Sequence, residues 1–395
     1  MTANASYVHL RLANGNNDSR LQKQAGSSMR TGLFSNVLVL AKIGPKDDHL
    51  PLEEVTQPDV TVSRIKVRRI FPGLTLLVWM TTVLWRCLLA RPRIISVHHV
   101  ELLVVGVLAK LLSSASLIYD AHELETEAAW LVGKPVRKAL TKIVECAAMP
   151  FVDHTIVVNR PIADWYRAHY KRAKVTAIHN YPSTNALNVQ GALDLRRAHN
   201  IPTDHVIFIY QGLLSFGRGI DQLMDVFANH KPAKAALVLM GYGELEDQVI
   251  AAAHENDNIF FQPAVPYRDI VSVTRTADVG LIIGEPICLS YTLSLPNKLF
   301  EYIQAGLPII AAKECTAMSQ IIAERALGTV CRGVAADIAA AVSDMVAADR
   351  AAFQPALKEA AQTFVWENEE PILQNIYREL INASASPGGA ARKPN

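Results

Sequence analysis

Short apolar runs rich in β-branched residues alternate along the chain with longer segments whose apolar positions recur every three or four residues. The first pattern predicts buried strands and the second amphipathic helices. Strands are expected at 7–12, 37–41, 94–98, 117–120, 154–158 and 174–178, with helices at 19–31, 74–90, 102–112, 135–148 and 161–170 between them. The periodicity stops at His179-Asn180-Tyr181-Pro182 and then restarts. Beyond it, strands are expected at 206–211, 236–241, 259–262, 279–283 and 309–312, with helices at 220–228, 245–255, 267–276 and from Pro296 to the Gly306 stop. This alternation is the signature of parallel α/β sheets. The break divides the chain into two Rossmann-like domains, 1–182 and 183–365. A helix over 366–383 and a Ser/Pro/Gly/Ala-rich, disordered tail at 384–395 follow. Ligands of such sheets bind at the carboxyl ends of the strands, here expected in a central cleft faced by both domains.

The size supports this division, since 395 residues exceed what one core usually holds. Half of the residues are hydrophobic and 19% charged, which excludes general disorder. The net charge of +2 conceals an asymmetry. Up to Tyr181 there are 23 Lys/Arg against 14 Asp/Glu, a net +9; the remainder has 16 against 23, a net −7. A basic first half suits a solvated face, nucleic acid or anionic lipid. Aromatics near the basic residues are too few for a base-stacking surface, so no nucleic-acid partner is expected. Five scattered cysteines give neither a zinc pattern nor a disulfide framework and fit a reducing cytoplasm. No secretory signal is visible, and no uncharged apolar run reaches the roughly 18–20 residues that span a bilayer. The expectation is a cytoplasmic protein, soluble or peripheral on the inner face of the cell membrane.

Candidate chemistry concentrates where strands end. Ser294-Leu295-Pro296-Asn297-Lys298-Leu299-Phe300-Glu301 reads as a loop and a helix with Pro296 at its first position. Free amides in such a first turn suit a phosphate. Glu301, one turn in, can accept from two adjacent ribose hydroxyls. Tyr210-Gln211-Gly212 leads through Gly217-Arg218-Gly219 into another helix, and Arg218 offers a bidentate charge to a diphosphate. Met240-Gly241-Tyr242-Gly243 is weak alone, because the third glycine of a dinucleotide fingerprint is missing. Asp120-Ala121-His122-Glu123 closes a strand of the first half. Asn14-Gly15-Asn16-Asn17-Asp18-Ser19-Arg20 joins the first strand to the first helix, with Asp18 or Ser19 able to cap it. The segment 74–90 is apolar nearly all round and carries Trp79 and Trp85. Arg64, Lys66, Arg68 and Arg69 precede it; Arg86, Arg91 and Arg93 follow. A buried helix and a bilayer-interface helix both fit.

Together these segments resemble the retaining glycosyltransferases of family 4 (glycosyl transferases group 1), most closely over 210–308. The resemblance implies the GT-B fold, with the C-terminal helix crossing back to the N-terminal domain near Val365-Trp366-Glu367. It implies donor contacts from Gly212, Gly241, Val265, Ser294, Leu295, Asn297, Lys298 and Glu301, with His122 and Arg218 serving the reaction itself. Gly15, Asp18, Arg20 and Glu123 would lie on the acceptor side. The chain departs from the family in Leu213, where an arginine is usual, and in Leu293, where a second glutamate often stands; Arg218 takes a lysine position. The implied activity moves a hexose-type sugar from a nucleotide-diphosphate donor, UDP-linked first and GDP-mannose second, to a hydroxyl of a saccharide or lipid-linked acceptor. Polysaccharide or glycolipid assembly is the implied setting. No cofactor and no metal are expected, since no pair of aspartates stands two apart, and neither P-loop nor GxSxG elbow occurs. A sugar-nucleotide epimerase on the same fold and a non-catalytic partner subunit are the alternatives.

Overall fold

A computed structural model describes residues 6–15, 18–44, 47, 49–67, 71–184 and 192–385. The sequence-stretch residues Asn16, Asn17, Arg68 and Arg69, and the tail from 386 onward, lie outside them. The chain forms two compact units: one runs to His179 and resumes at Glu369, and the other is Asn180–Asn368.

In the first unit, eight strands are seen among the described residues: β1 (Ser6–Arg11), β2 (Asn36–Lys42), β3 (Glu53–Gln57), β4 (Val60–Ile65), β5 (Pro92–Val97), β6 (Ser116–Ala121), β7 (His154–Val157) and β8 (Val175–Ala177). They form one sheet in the order β3-β4-β2-β1-β5-β6-β7-β8, parallel except for β3. Helices α1 (Ser19–Arg30), α2 (Pro72–Leu89), α3 (Leu103–Ser113), α4 (Pro135–Ala148) and α5 (Arg160–His169) connect them. Neither β3 nor β4 is in the sequence reading: β3 leaves Glu53 and Val55 exposed, whereas β4 buries all but one of its residues. Helix α2 is buried on one side only, not all round. Trp79, Val83 and Cys87 are buried, whereas Leu77, Trp85 and Leu89 are exposed. Arg64, read as part of a basic bracket, is instead buried: it pairs with Glu54 at 2.7 Å and donates to the carbonyls of Asn14 and Pro51.

The second unit follows the short helix α6 (Leu195–Ala198) with β9 (Val206–Leu213), α7 (Ile220–Asp225), β10 (Ala235–Tyr242), α8 (Glu246–Glu255), β11 (Ile259–Pro263), α9 (Ile270–Thr274) and β12 (Val279–Ile282). Then come α10 (Leu289–Leu293), α11 (Asn297–Ala305), β13 (Ile309–Ala312), α12 (Thr316–Glu324), β14 (Gly328–Cys331), α13 (Ala335–Ala347) and α14 (Gln354–Thr363). Its sheet runs β11-β10-β9-β12-β13-β14, all parallel. Alternate residues of β9 enter two different cores: Ile207 and Ile209 on one face, Phe208 and Tyr210 on the other. Both faces are therefore covered by helices, as a purely parallel sheet requires. Each such side chain contributes about 1.5–3 kcal/mol by leaving water.

The last helix, α15 (Trp366–Ala385), opens in the second unit, where the Trp366 amide donates to the Pro182 carbonyl. From Glu369 on it belongs to the first unit: Glu369 accepts from the His179 amide, and Tyr377 meets Tyr7 edge-on. The chain thus returns to its first unit as expected. Ser384 and Ala385 end this helix and are not part of a disordered tail.

Candidate active site

Two clusters gather the predicted residues, one at the strand ends of each unit. In the second unit, Gln211 and Gly212 close the central strand β9. The helix α11 is fixed to that strand by Tyr302, whose hydroxyl donates to the Ile209 carbonyl and accepts from the Gln211 amide. Its ring lies where a side chain at Gly280 would stand, 2.3 Å from a would-be Cβ. One turn before Tyr302, the buried Lys298 carries its Nζ 3.4 Å from the Tyr210 ring centroid and near Gly212. Glu301 is buried as well; one carboxylate oxygen accepts from Gln211 Nε2, and Gln211 Oε1 accepts from Thr274. Gln211 thereby fixes the carboxylate that the sequence assigned to a ribose.

Arg218 approaches the same place from the β9–α7 loop. Its guanidinium is half-buried over the Tyr291 ring, and Nε donates to Ser215 Oγ at 3.2 Å. The loop can turn here only because Gly219 has φ +74° and no side chain: a Cβ would sit 1.7 Å from the Ile283 carbonyl oxygen. Burial, then the charge of Arg218, push the Lys298 pKa well below the ordinary lysine value, while Glu301 acts in the opposite direction. Two cations acting on each other, one of them at a glycine in the first turn of a helix, form an electrostatic demand for an anion.

The helix tip differs from the sequence expectation. Pro296 is the N-cap residue (φ −68°, ψ 148°), not the first helical residue, and its carbonyl accepts from the Leu299 amide. The Ser294 amide is also engaged, by the Tyr291 carbonyl. Asn297 and Lys298 occupy the positions whose amides have no intrahelical acceptor. Leu295 is half-buried against the core. Gly241 ends β10 beside Gly212, where a Cβ would lie 1.8 Å from the Gly212 carbonyl oxygen. Val265 sits in the loop after β11 with its side chain on the core. Because β11, β10 and β9 are neighbours, these strand ends stand side by side. Leu213 is 40% exposed at the end of β9, and Leu293 ends α10, so neither position returns the charge that the family pattern places there.

In the first unit, the neighbouring strands β1, β5 and β6 bring His9, His98, Asp120 and His122 together. His9 Nδ1 is 2.9 Å from His98 Nε2, and His98 Nδ1 is 2.9 Å from His122 Nε2. Asp120 is wholly buried; Arg20 clasps it through Nε and Nη2, and Gln24 donates to it at 2.8 Å. Arg20 also donates to the Ile178 carbonyl. This corrects one expectation: Arg20 is a buried structural partner and presents no charge to an acceptor. Asp18 caps α1 through the Leu21 amide and pairs with Arg11. Gly15 is buried against Val62, and Glu123 is half-buried beside His122.

His122 keeps 22% of its side chain exposed. Burial chiefly lowers its pKa, to about 4, with Asp120 opposing and the Arg11 guanidinium assisting. His9 and His99 are likewise held neutral by burial, His99 at about 3. His122 Nε2 stands among three groups: His98 Nδ1 at 2.9 Å, Asp120 Oδ2 at 3.3 Å and Arg11 Nη1 at 3.5 Å. His98, Asp120 and His122 also offer three ligand atoms within 4.8 Å, a geometry able to hold a metal ion. The guanidinium of Arg20 already occupies Asp120 there. Arg11, His9 and His98 escaped the sequence reading, although each lies within or at the end of a strand that it did place.

Two units built on parallel sheets are an architecture shared with known glycosyltransferases. The family model for glycosyl transferases group 1 matches residues 193–363, and that for glycosyltransferase family 4 matches 36–182. The chain belongs to the GT-B glycosyltransferases of the family 4-like type. Among solved structures it resembles sucrose-phosphate synthase from Thermosynechococcus elongatus, with 18% identity, a TM-score of 0.73, and coverage of 96% of this chain and 100% of that one. It also resembles Anabaena HepE in complex with UDP-glucose (17% identity, TM-score 0.71, 95% and 99% coverage). A third is WaaG, a glycosyltransferase involved in lipopolysaccharide biosynthesis (13% identity, TM-score 0.66, 94% and 99% coverage). No curated protein sequence matches the chain at a significant level.

Proposed function

We propose that this chain is a retaining hexosyltransferase that takes its sugar from a UDP-linked donor and delivers it to a hydroxyl of a saccharide or lipid-linked acceptor. One observation carries the reading: the buried Lys298 stands beside Gly212 with Arg218 close enough to act on its charge, and Gln211 holds Glu301 one turn further in. A diphosphate satisfies the two cations and the amides of Asn297 and Lys298, and Glu301 binds the ribose. The binding of UDP-glucose by the structurally similar HepE supports the choice of base and sugar. GDP-mannose is the second choice of donor.

The protein supplies no nucleophile in this reaction. As the glycosidic bond to the leaving diphosphate lengthens, negative charge grows on its oxygens, and Arg218 and Lys298 are already oriented to meet it. The acceptor hydroxyl attacks from the face the diphosphate leaves and passes its proton to a diphosphate oxygen. His122 is assigned to orienting the sugar. Neither a cofactor nor a metal ion is assigned to these steps. The setting is polysaccharide or glycolipid assembly, and WaaG, of like fold, is a glycosyltransferase involved in lipopolysaccharide biosynthesis.

The test is a donor screen by thermal shift with UDP-glucose, UDP-galactose and GDP-mannose, followed by transfer of labelled sugar and NMR of the product anomer. Stabilisation by a UDP-sugar and an α product from an α-linked donor support the reading. An inverted product removes the retaining mechanism, epimerised donor without transfer indicates an epimerase, and absence of any donor binding indicates a non-catalytic subunit.

A further inference from the structure

The three helices on one side of the first sheet leave an apolar surface uncovered. Helix α3 packs between α2 and α4. On their outer sides Leu77 and Trp85 of α2, Leu108 and Leu111 of α3, and Leu140 and Ile143 of α4 are exposed, from 44% at Leu108 to 64% at Trp85. The spacing on α4 continues from Val136 to Leu140 and Ile143, one helical stripe. The surface is not the leftover of a poor core, because Trp79, Val83 and Cys87 of α2 and Leu103, Val105 and Ala109 of α3 already fill the inner side. Contiguous apolar patches of this kind on a folded protein mark an interaction site.

Charge identifies what covers it. The three helices carry Arg86, Lys110, Arg137, Lys138 and Lys142. Their single acid, Glu145, is buried beneath the hydroxyls of Tyr119, Tyr166 and Tyr170. Acids from other elements touch the rim: Glu53 meets Arg86, Asp153 meets Lys110, and Glu127 is shared by Lys138 and Lys142. That sharing leaves the α4 end net positive. An apolar face with tryptophan and a cationic rim matches the boundary of an anionic bilayer. Among the described residues no helix is long and apolar enough to cross a membrane, so the contact is lateral.

We propose that the outer face of α2, α3 and α4 docks this chain onto an anionic lipid surface. The proposal deepens the reading above by giving a lipid-linked acceptor a place of delivery, and it rests on that reading only for its purpose.

The experiment is flotation of the full chain with phosphatidylglycerol-containing or pure phosphatidylcholine vesicles at low and high salt. The wild type is expected to float with the anionic vesicles at low salt and to be released by salt. Leu140→Asp combined with Ile143→Asp lowers the floated fraction by about tenfold. Arg137→Glu lowers it by about fivefold or more, the effect of one cation near an anionic surface. Val334→Asp, at an exposed apolar position of the second unit, leaves it unchanged. Circular dichroism and hydrolysis of a soluble donor, measured on every variant, separate loss of docking from loss of folding. Failure of the wild type to float, or equal flotation of the α4 variants, overturns the proposal. So does a dimer in light scattering that the α4 variants split into monomers, since a second copy then covers the face. Flotation without any donor turnover leaves the docking surface standing and removes the transferase reading instead.

Discussion

Replacing Lys298 by methionine separates a binding cation from a structural one, because the two roles predict opposite signs. Lys298 as a residue is 8% exposed, and its ammonium lies against the Tyr210 ring. Its folded-state pKa is lowered, first by burial and then by Arg218. The unfolded chain therefore binds more protons between that lowered value and the ordinary lysine value. Stability rises with pH across this window, and the charged form is the costly one. Methionine fills similar space and removes the charge. It forfeits a cation–π contact of about 0.5–2 kcal/mol. Replacing buried charge by packed apolar atoms returns about 1–4 kcal/mol. The expected net runs from about 1 kcal/mol below the wild type to about 3.5 kcal/mol above it, with a gain at the centre of the range and a rise in Tm of several degrees for a unit of this size.

Donor binding moves the other way. A charge-assisted hydrogen bond to a diphosphate is worth about 1.5–3 kcal/mol, so Lys298→Met weakens UDP by about 10- to 150-fold. Because the diphosphate raises the Lys298 pKa again, wild-type binding takes up protons in the pH window where the free ammonium is partly deprotonated. Titration calorimetry of UDP in two buffers of different protonation enthalpy measures that uptake, and urea unfolding measures the stability. The reasoning is refuted if the variant loses several kcal/mol of stability, or if it keeps both the UDP affinity and the proton uptake.

Arg218→Ala is expected to cut turnover by about 100-fold or more, the scale of one lost charge-stabilising contact; steady-state kinetics with full activity would remove Arg218 from the reaction. Glu301→Gln, with Gln211 still in place, should weaken UDP and uridine alike in calorimetry while leaving inorganic diphosphate unaffected, as a ribose contact requires. Gly219→Ala places a Cβ within 1.7 Å of the Ile283 carbonyl oxygen at φ +74°, so it should cost more than about 1 kcal/mol and lower the urea midpoint. Acid should destabilise the first unit: His122 and His154 are lowered from 6.5 to about 4 and His99 to about 3. Their contribution is complete above 6.5 and is lost as pH falls toward 4; denaturation at pH 7 and 5 checks it, and His122→Gln should reduce the difference.

The legible parts of this chain share one property, namely that local chemistry determined them. The β9–α7 loop was readable because a turn that admits only glycine at 219 must place Arg218 beside the strand end. The α11 segment was readable because a loop, a proline, a charged turn and a glycine stop follow in order, although the structure moves Pro296 to the cap. What escaped depends on strand order. His9, His98 and His122 are far apart in sequence, and only the adjacency of β1, β5 and β6 makes them one cluster. The same adjacency changes Arg20. A loop-side arginine near a glycine reads as a ligand contact until β6 brings Asp120 beneath it and removes both charges from solvent. Gln211 shows the reverse case. It was an unremarked residue between Tyr210 and Gly212, and the fold makes it the group that fixes Glu301. Sequence motifs therefore singled out the charges proposed to meet the substrates, whereas topology decided which of them remain open to solvent. Lys298 lies on that boundary, since its burial beside Arg218 follows from packing alone while its use depends on an anion arriving.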